Sequence, residues 1–287
     1  MATSLKHGFH YAVAVPASFT SDIPHLREKT FRIGLLARAA AIFRVNEIVV
    51  YPDIPRINQS RDIGLIETVL MYMETPQYLR KRLFKIVPEL QYAGTLPPLR
   101  TAHHPTADKT ESLRLGEYRE GVVVSHSEEG SLVDIGVEHE AFVPYEKRRI
   151  NQRVTVRISE LGKRPKAALV NSNDIKAYWG YKTTILNCSL GQFLQQKPSD
   201  LIVATSKKGK HVASILEELR EKWAISKKTL IAFGAPSQGL YEILGQHVKL
   251  DGVADFVVNT IPNQATETVR TEEAVFATLS ILNVLDK

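Results

Sequence analysis

Three segments of the chain combine residue types that can grip a ligand or move a proton. The first is Gly34-Leu-Leu-Ala-Arg38, which puts an arginine into an otherwise apolar run. A guanidinium there must be paired, face a polar site, or snorkel to the surface along its aliphatic stem. The second is Ile231-Ala-Phe-Gly-Ala-Pro-Ser-Gln-Gly-Leu240. Glycines at 234 and 239 let backbone approach a ligand closely, and a helix starting after them offers free N–H donors. The segment matches neither GxGxxG nor GxxxxGK[ST], which speaks against dinucleotide or ATP chemistry. The third is Asn259-Thr-Ile-Pro-Asn-Gln-Ala-Thr-Glu-Thr-Val-Arg-Thr-Glu-Glu-Ala274, a long polar loop entering a helix. Thr271 with Glu272 or Glu273 is also helix-capping chemistry, so a ligand loop and a cap both fit. Ala204-Thr-Ser-Lys-Lys-Gly-Lys210 is a fourth polar segment of this kind.

These segments need elements to hold them. Tyr11 to Pro16 alternates and stops at a proline, which predicts a short strand. Arg32 to Phe43 is apolar at helical spacing and rich in Ala and Leu, a helix. Asn46 to Tyr51 is a buried-type strand, and strand, helix, strand at this spacing is a parallel βαβ unit. Helices are predicted over 65–72 and 76–87. From Leu96 to Lys166 the pattern changes. Pro97, Pro98, His103, His104 and Pro105 mark a linker. Short strands over 117–124, 131–135, 141–143 and 153–159, with turn signals such as Glu129-Gly130, then predict a small β-barrel. After Gly162 and Pro165 the α/β pattern returns, with strands over 201–204, 229–233 and 255–259. Helices fall at 211–222, from 240, and at 272–285. The fold class is α/β with an inserted β-barrel, divided as 1–98, 99–166 and 167–287. All the polar loops sit at carboxyl ends of strands, where open α/β sheets bind ligands.

Composition narrows the classes. The chain has 287 residues, 44% hydrophobic and 24% charged, close to soluble globular averages. Lys+Arg 37 against Asp+Glu 31 gives +6, which excludes a histone-like tail and keeps nucleic acid as a partner. The charge is polarised. From Lys147 to Lys166 stand eight bases (Lys147, Arg148, Arg149, Arg153, Arg157, Lys163, Arg164, Lys166) against one acid, Glu160, after an acidic stretch from Asp108 to Glu146. That suits a domain with one basic face; a solvated surface run is the alternative. A single cysteine, Cys188, excludes an intramolecular disulfide framework and a Cys-rich zinc site. The nine histidines show no ligand spacing, so no metal is expected. No apolar run approaches the ~18 residues of a membrane helix. Lys6, His7 and His10 interrupt any signal-peptide core. A soluble, cytoplasmic protein without membrane contact is expected.

Taken together and in this order, the motif segments resemble the SPOUT (SpoU–TrmD) superfamily of RNA methyltransferases. Its SpoU branch opens on Asn-x-Gly-x-x-x-Arg, here Arg32-Ile-Gly34-Leu-Leu-Ala-Arg38. The second motif is matched by Phe233-Gly234 and Gly239-Leu240, the third by Ile261-Pro262 onward. AIFRVNEIVVYPD, TPQYLRKRLF and PELQYAG look like the subfamily of RNA uridine-N3 methyltransferases, as does an OB-like barrel inserted after the first third of the chain. The resemblance covers nearly the whole chain.

It implies a SPOUT-type fold with a C-terminal trefoil knot, S-adenosylmethionine as cofactor, and a homodimer with the site completed across the interface. The cofactor would be held by Thr205, Ser206, Gly234, Ala235, Pro236, Gly239, Asn259, Ile261, Pro262, Gln264, Thr268, Val269, Thr271 and Ala274. Arg38 matches the arginine near the reacting nucleotide. Two departures bear on the chemistry: the first motif's Asn is Arg32, and Ser-Leu-Asn of the third is Arg270-Thr271-Glu272. Those positions belong to ribose 2′-OH methylation, so a base nitrogen, uridine N3, is the expected target. Its weakly acidic proton must be removed or the developing anion stabilised. Arg38 or Arg270 would supply positive charge, and Glu272 or Glu273 would accept the proton, with Glu273 favoured. Arg80, Arg82, Lys147, Arg148, Arg149, Arg153, Lys163 and Arg164 are expected on the RNA, an rRNA or a tRNA, with Lys81 and Lys85 extending that surface. The alternatives are an RNA- or chromatin-associated factor without turnover and a ribose methyltransferase.

Overall fold

The computed structural model describes residues 9–245 and 248–285. In chain order the first elements are β1 (His10–Pro16), α1 (Leu26–Ile42), β2 (Glu47–Tyr51), α2 (Ser60–Glu74) and α3 (Gln77–Leu83). Five strands follow, β3 (Tyr118–His126), β4 (Gly130–Asp134), β5 (Ala141–Pro144), β6 (Arg153–Glu160) and β7 (Lys166–Leu169). Then come β8 (Lys182–Ile185), α4 (Leu190–Gln195), β9 (Leu201–His211), α5 (Leu216–Ile225) and β10 (Lys228–Ala232). The chain closes with α6 (Leu240–Leu244), α7 (Leu250–Val253), β11 (Phe256–Asn259) and α8 (Thr271–Leu282). No helix among the described residues is long and apolar enough to cross a membrane.

Two compact units result. One is an α/β unit of residues 9–71, 88–97 and 180–285. Its sheet has the order β11-β9-β10-β1-β2-β8, and every pairing is parallel. Parallel strands are covered on both faces, so they read as continuous apolar runs. Tyr11–Val15, Ile48–Tyr51 and Leu230–Ala232 are such runs, and all are buried. One face packs Ala12, Ala14, Val49, Ile202 and Leu230 against Leu190, Leu194, Leu240, Leu244 and Leu250. On α5, Trp223 stacks on Tyr11 at 5.2 Å. The terminal helix α8 packs on α1.

Several boundaries differ from expectation. α1 begins at Leu26 rather than Arg32, because the charged first turn (Leu26–Phe31) hides the apolar periodicity. α3 ends at Leu83, not 87: Phe84 is extended, and the residue before Pro88 is disfavoured in helix. The segment from Ala204 to Lys210, expected as a loop, belongs to β9. Yet its ladder is broken: Val257 pairs with Ala204 and Val258 with Lys210, so residues 205–209 leave the register. Pairing resumes at Lys210 and His211, which delays α5 to Leu216 instead of 211. Gly209 permits the return, since a Cβ there would lie 2.7 Å from the Val258 carbonyl carbon.

The second unit holds residues 72–87 and 98–179. It is a closed barrel, β3-β4-β5-β7-β6, antiparallel except for β5 with β7. Val123, Val133, Ile135, Val143, Val156 and Ile158 fill it. The expected boundary at 166 cuts into β7, a strand that Lys-Ala-Ala-Leu composition does not announce but that closes the barrel. Residues 72–87 join this unit through side chains. Tyr78 donates its hydroxyl to the Glu120 carbonyl at 2.8 Å. Its ring packs where Gly136, at φ +80, has no Cβ. Arg153 donates to Glu74 (2.9 Å to Oε1) and to Glu120 (2.6 Å), and Glu120 also accepts from Thr155 and Trp179. His103, expected in a linker, is fully buried with Nε2 3.4 Å from Glu74 Oε1.

Burial alone would push the Glu74 carboxyl up, but the His103 contact and Arg153 outweigh it and hold it at about 2. A depressed carboxyl stabilises above its unfolded value and loses that contribution as pH falls through the folded one. Glu74→Gln should therefore destabilise the barrel unit at neutral pH by on the order of 3 kcal/mol, since Arg153 loses a buried partner. Its unfolding midpoint, followed by Trp179 fluorescence, should depend less on pH between 4.5 and 2 than wild type does.

Candidate active site

The carboxyl ends of β9, β10 and β11 and the segments that follow them enclose a cavity of about 520 Å³. Its walls are Thr205–Lys208 of the unpaired β9 excursion, Phe233–Gly239 before α6, and 258–271 around the α8 start. Each wall is fixed by a few hydrogen bonds. Thr205 Oγ1 donates to the Ala232 carbonyl at 3.0 Å. The buried Tyr51 hydroxyl donates to the Phe233 carbonyl. Ala235 N–H closes a turn onto the Gln238 carbonyl at 2.8 Å. Thr271 Oγ1 donates to the Gly234 carbonyl at 2.9 Å, so the first residue of α8 holds the 233–239 loop. At Gly234 a Cβ would come within 3.1–3.2 Å of the backbone at Gln238, Gly239 and Leu240, so a side chain there would press the loop open by a few tenths of an ångström. Phe233, Val258, Ile261 and Val269 give the cavity apolar patches among polar loops. A volume of this order, part apolar with convergent polar groups, is that of a small-ligand site.

Of the fourteen residues expected on a cofactor, thirteen line this cavity: Thr205, Ser206, Gly234, Ala235, Pro236, Gly239, Asn259, Ile261, Gln264, Thr268, Val269, Thr271 and Ala274. Pro262 does not; it is exposed to solvent. Asn259 and Gln264 turn their amides to backbone. Asn259 Nδ2 donates to the Lys207 carbonyl at 3.0 Å, and Gln264 Nε2 to those of Thr266 (2.9 Å) and Glu267 (3.2 Å). Lys207, Lys208, Glu242 and Glu267 also line the cavity, and sequence reasoning singled out none of them. Glu267 stood inside the third segment, but spacing alone does not say which of its acids faces inward.

None of Arg38, Arg270 and Glu273 lines the cavity within one chain. Glu273 closes a capping box, its carboxylate accepting the Arg270 N–H at 2.9 Å. Arg38 sits half-buried on α1. Glu272 is buried with Oε1 3.3 Å from Arg32 Nε, and Arg32 also donates to Asp22 at 3.1 Å. Thus one residue from each of the two departures from the ribose-methylating pattern, Arg32 and Glu272, meets the other. Burial raises the Glu272 carboxyl, with Arg32 offsetting only part of the shift, and Oε2 finds no hydrogen-bond partner among the described residues.

The expected RNA-facing bases divide. Lys147, Arg149, Lys163 and Arg164 are exposed. Arg148 and Arg82 are exposed beside Glu146 (3.3 Å) and Asp134 (3.7 Å). Arg153 is committed to Glu74 and Glu120. Arg80 donates to the Thr75 and Met73 carbonyls at the end of α2 and lies 4.4 Å from the Tyr72 ring centre. Neither Arg80 nor Arg153 is available as a simple phosphate contact.

A family described as "Putative RNA methyltransferase" matches residues 10–282. The chain belongs to this RNA methyltransferase family. An uncharacterized protein of Halobacterium salinarum is 36% identical over 294 residues, covering 96% of this chain and 99% of that one. A protein of Mus musculus named 28S rRNA (uridine-N(3))-methyltransferase is 33% identical over 303 residues, covering 94% and 75%. The protein of the same name from Homo sapiens is 32% identical over 308 residues, covering 94% and 77%. The SPOUT-type resemblance carried by the three motif segments agrees with this membership, and residues of the second and third segments line the cavity.

In this methyltransferase the Arg32–Glu272 pair should respond asymmetrically to substitution. Arg32→Met strands a buried carboxylate and should cost on the order of 3 kcal/mol. Glu272→Gln should be close to neutral at pH 5. Because a raised carboxyl stabilises below its unfolded value and loses that contribution as pH rises through the folded one, the variant should gain on wild type toward pH 8. Thermal melts across that range check both outcomes.

Proposed function

We propose that this enzyme transfers a methyl group from S-adenosylmethionine to N3 of a uridine in ribosomal RNA. The observation that carries the reading is the cavity at the ends of β9, β10 and β11, walled by the very loops the motifs pick out. The relatives named uridine-N(3) methyltransferases give the target.

The residues present fit the cofactor. Gly234 lets the 233–239 loop fold tightly on its own backbone, so that main chain rather than a side chain walls this part of the cavity, and Ile261, Val258 and Val269 would be the apolar flanks of a purine. Bound there, S-adenosylmethionine supplies an electrophilic methyl on a sulfonium. The protein's part is to orient that group, bring uridine N3 to it and remove the N3 proton.

The finer architecture belongs to the same proposal. After the edge strand β11 the chain returns past the 233–239 loop, is pinned to it by Thr271, and packs α8 on α1. That route supports a trefoil knot, a departure from the usual unknotted connection. The closed five-stranded order β3-β4-β5-β7-β6, with one parallel pair, supports an OB-like barrel. Its exposed Lys147, Arg149, Lys163 and Arg164 would grip the RNA backbone.

A homodimer completes the site. Phe31, Leu35, Arg38 and Ile42 fall on one stripe of α1 (i, i+4, i+7, i+11), with Phe31 and Ile42 47% and 50% exposed. The stripe supports a second copy packing on α1, and in that dimer Arg38 would reach the partner's nucleotide.

Ribosomal RNA from cells lacking the enzyme, incubated with enzyme and S-adenosylmethionine, should yield N3-methyluridine by nucleoside mass spectrometry; a 2′-O-methyl nucleoside instead would reject the target atom. Gly234→Val should weaken S-adenosylmethionine binding at least tenfold by calorimetry while the protein stays folded. Phe31→Asp with Ile42→Asp should give a monomer in sedimentation that still binds the cofactor but has lost turnover.

A further inference from the structure

Four charged residues line the cavity, and they are not equivalent. Lys208 Nζ lies 2.6 Å from Glu242 Oε1, and that contact holds the Glu242 carboxyl below its ordinary value. These two neutralise each other. Lys207 and Glu267 are the remaining pair. Neither head group has a hydrogen bond or ion pair with another described residue.

Their backbones, by contrast, are anchored. The Lys207 carbonyl accepts the Asn259 amide, and the Glu267 carbonyl accepts the Gln264 amide. Two loop amides thus hold the main chain of an unengaged ammonium and an unengaged carboxylate on the walls of one cavity. Both side chains are solvent-exposed, so a proton taken up there can pass to water. The other acids of the third segment are otherwise engaged: Glu273 caps α8 and Glu272 is buried against Arg32.

Resting on the uridine-N3 reading above, we infer that Glu267 is the proton acceptor for uridine N3–H and Lys207 the cation that stabilises the resulting anion. The N3–H proton moves to a Glu267 carboxylate oxygen, and its electron pair stays on N3. That pair forms the N3–methyl bond, while the electrons of the donor's methyl–sulfur bond remain on sulfur. Loss of the proton spreads negative charge over O2, N3 and O4, and the Lys207 ammonium has three donors to offer it. Glu267 then releases its proton to water.

The test uses the full-length enzyme, with two in vitro transcripts of the target ribosomal RNA. One contains uridine and the other 5-fluorouridine, whose N3–H is more acidic. Single-turnover methylation by Glu267→Gln should fall by a factor of ~100 or more on the uridine transcript, in the range of a lost general base. The loss should be several-fold smaller on the 5-fluorouridine transcript, because less help is needed to remove the proton. Calorimetric S-adenosylmethionine affinity and filter-binding RNA affinity should stay within about threefold of wild type. Lys207→Met should slow both transcripts, and Lys207→Arg should restore part of the rate. Turnover of Glu267→Gln within threefold of wild type, equal losses on the two transcripts, or a loss that tracks cofactor affinity would each overturn the assignment. If wild type makes N3-methyluridine and the variants behave in one of those ways, this inference alone fails. If wild type makes none, the uridine-N3 reading fails with it.

Discussion

The α/β unit hangs its ligand cavity on one buried ion pair. Arg32 on α1 and Glu272 on the first turn of α8 meet at 3.3 Å, out of water. The two are not equivalent: Arg32 keeps Asp22 as a second partner, whereas the buried Glu272 carboxyl has Arg32 as its ion-pair partner and is costly to leave without it. The consequence is positional. With Glu272 fixed, Thr271 beside it reaches the Gly234 carbonyl, and the 233–239 loop takes its shape from a helix that arrives last in the chain. The pairing leaves Glu272 Oε2 unsatisfied and its carboxyl raised, so it is better read as a constraint than as a source of stability.

The barrel unit is organised by a comparable device. Arg153 joins Glu74, which precedes the barrel strands by a long stretch of chain, to Glu120 on β3. Here the Glu74 carboxylate gains more from His103 and Arg153 than it loses by burial, which holds it below the ordinary carboxylate range. The same interaction removes Arg153 from the basic face. A count of eight bases between Lys147 and Lys166 therefore overstates what RNA would meet, while Lys147, Arg149, Lys163 and Arg164 remain outward.

The cavity walls were legible because their signals are local. A glycine where backbone must approach backbone, as at Gly234, and a polar run between a strand and a helix both leave marks in the residue order. The barrel was legible from turn signals and short alternating runs, except for β7, whose strand character comes from pairing with β5 and β6. The charged residues were harder. Glu267, Glu272 and Glu273 lie within seven positions, and their chemistry is the same on paper. One faces the cavity, one is buried against α1, and one caps the helix. Lys207 was hidden for a different reason: five residues leave the β9 ladder, and only the geometry of that excursion brings it to the wall.

By itself, the residue order determined that an α/β sheet would carry polar, glycine-containing loops at its carboxyl ends, that a small β-barrel would interrupt it, and that this arrangement resembles RNA methyltransferases. These follow from periodicity, turn chemistry and motif order, all of them short-range properties. Tertiary structure decided which charges pair with each other and which stand unpaired among the described residues. Pairing partners such as Arg32 and Glu272, or Glu74 and Arg153, lie far apart in the chain, and burial sets the cost of leaving either one alone. Spacing carries no record of that cost; the folded environment does.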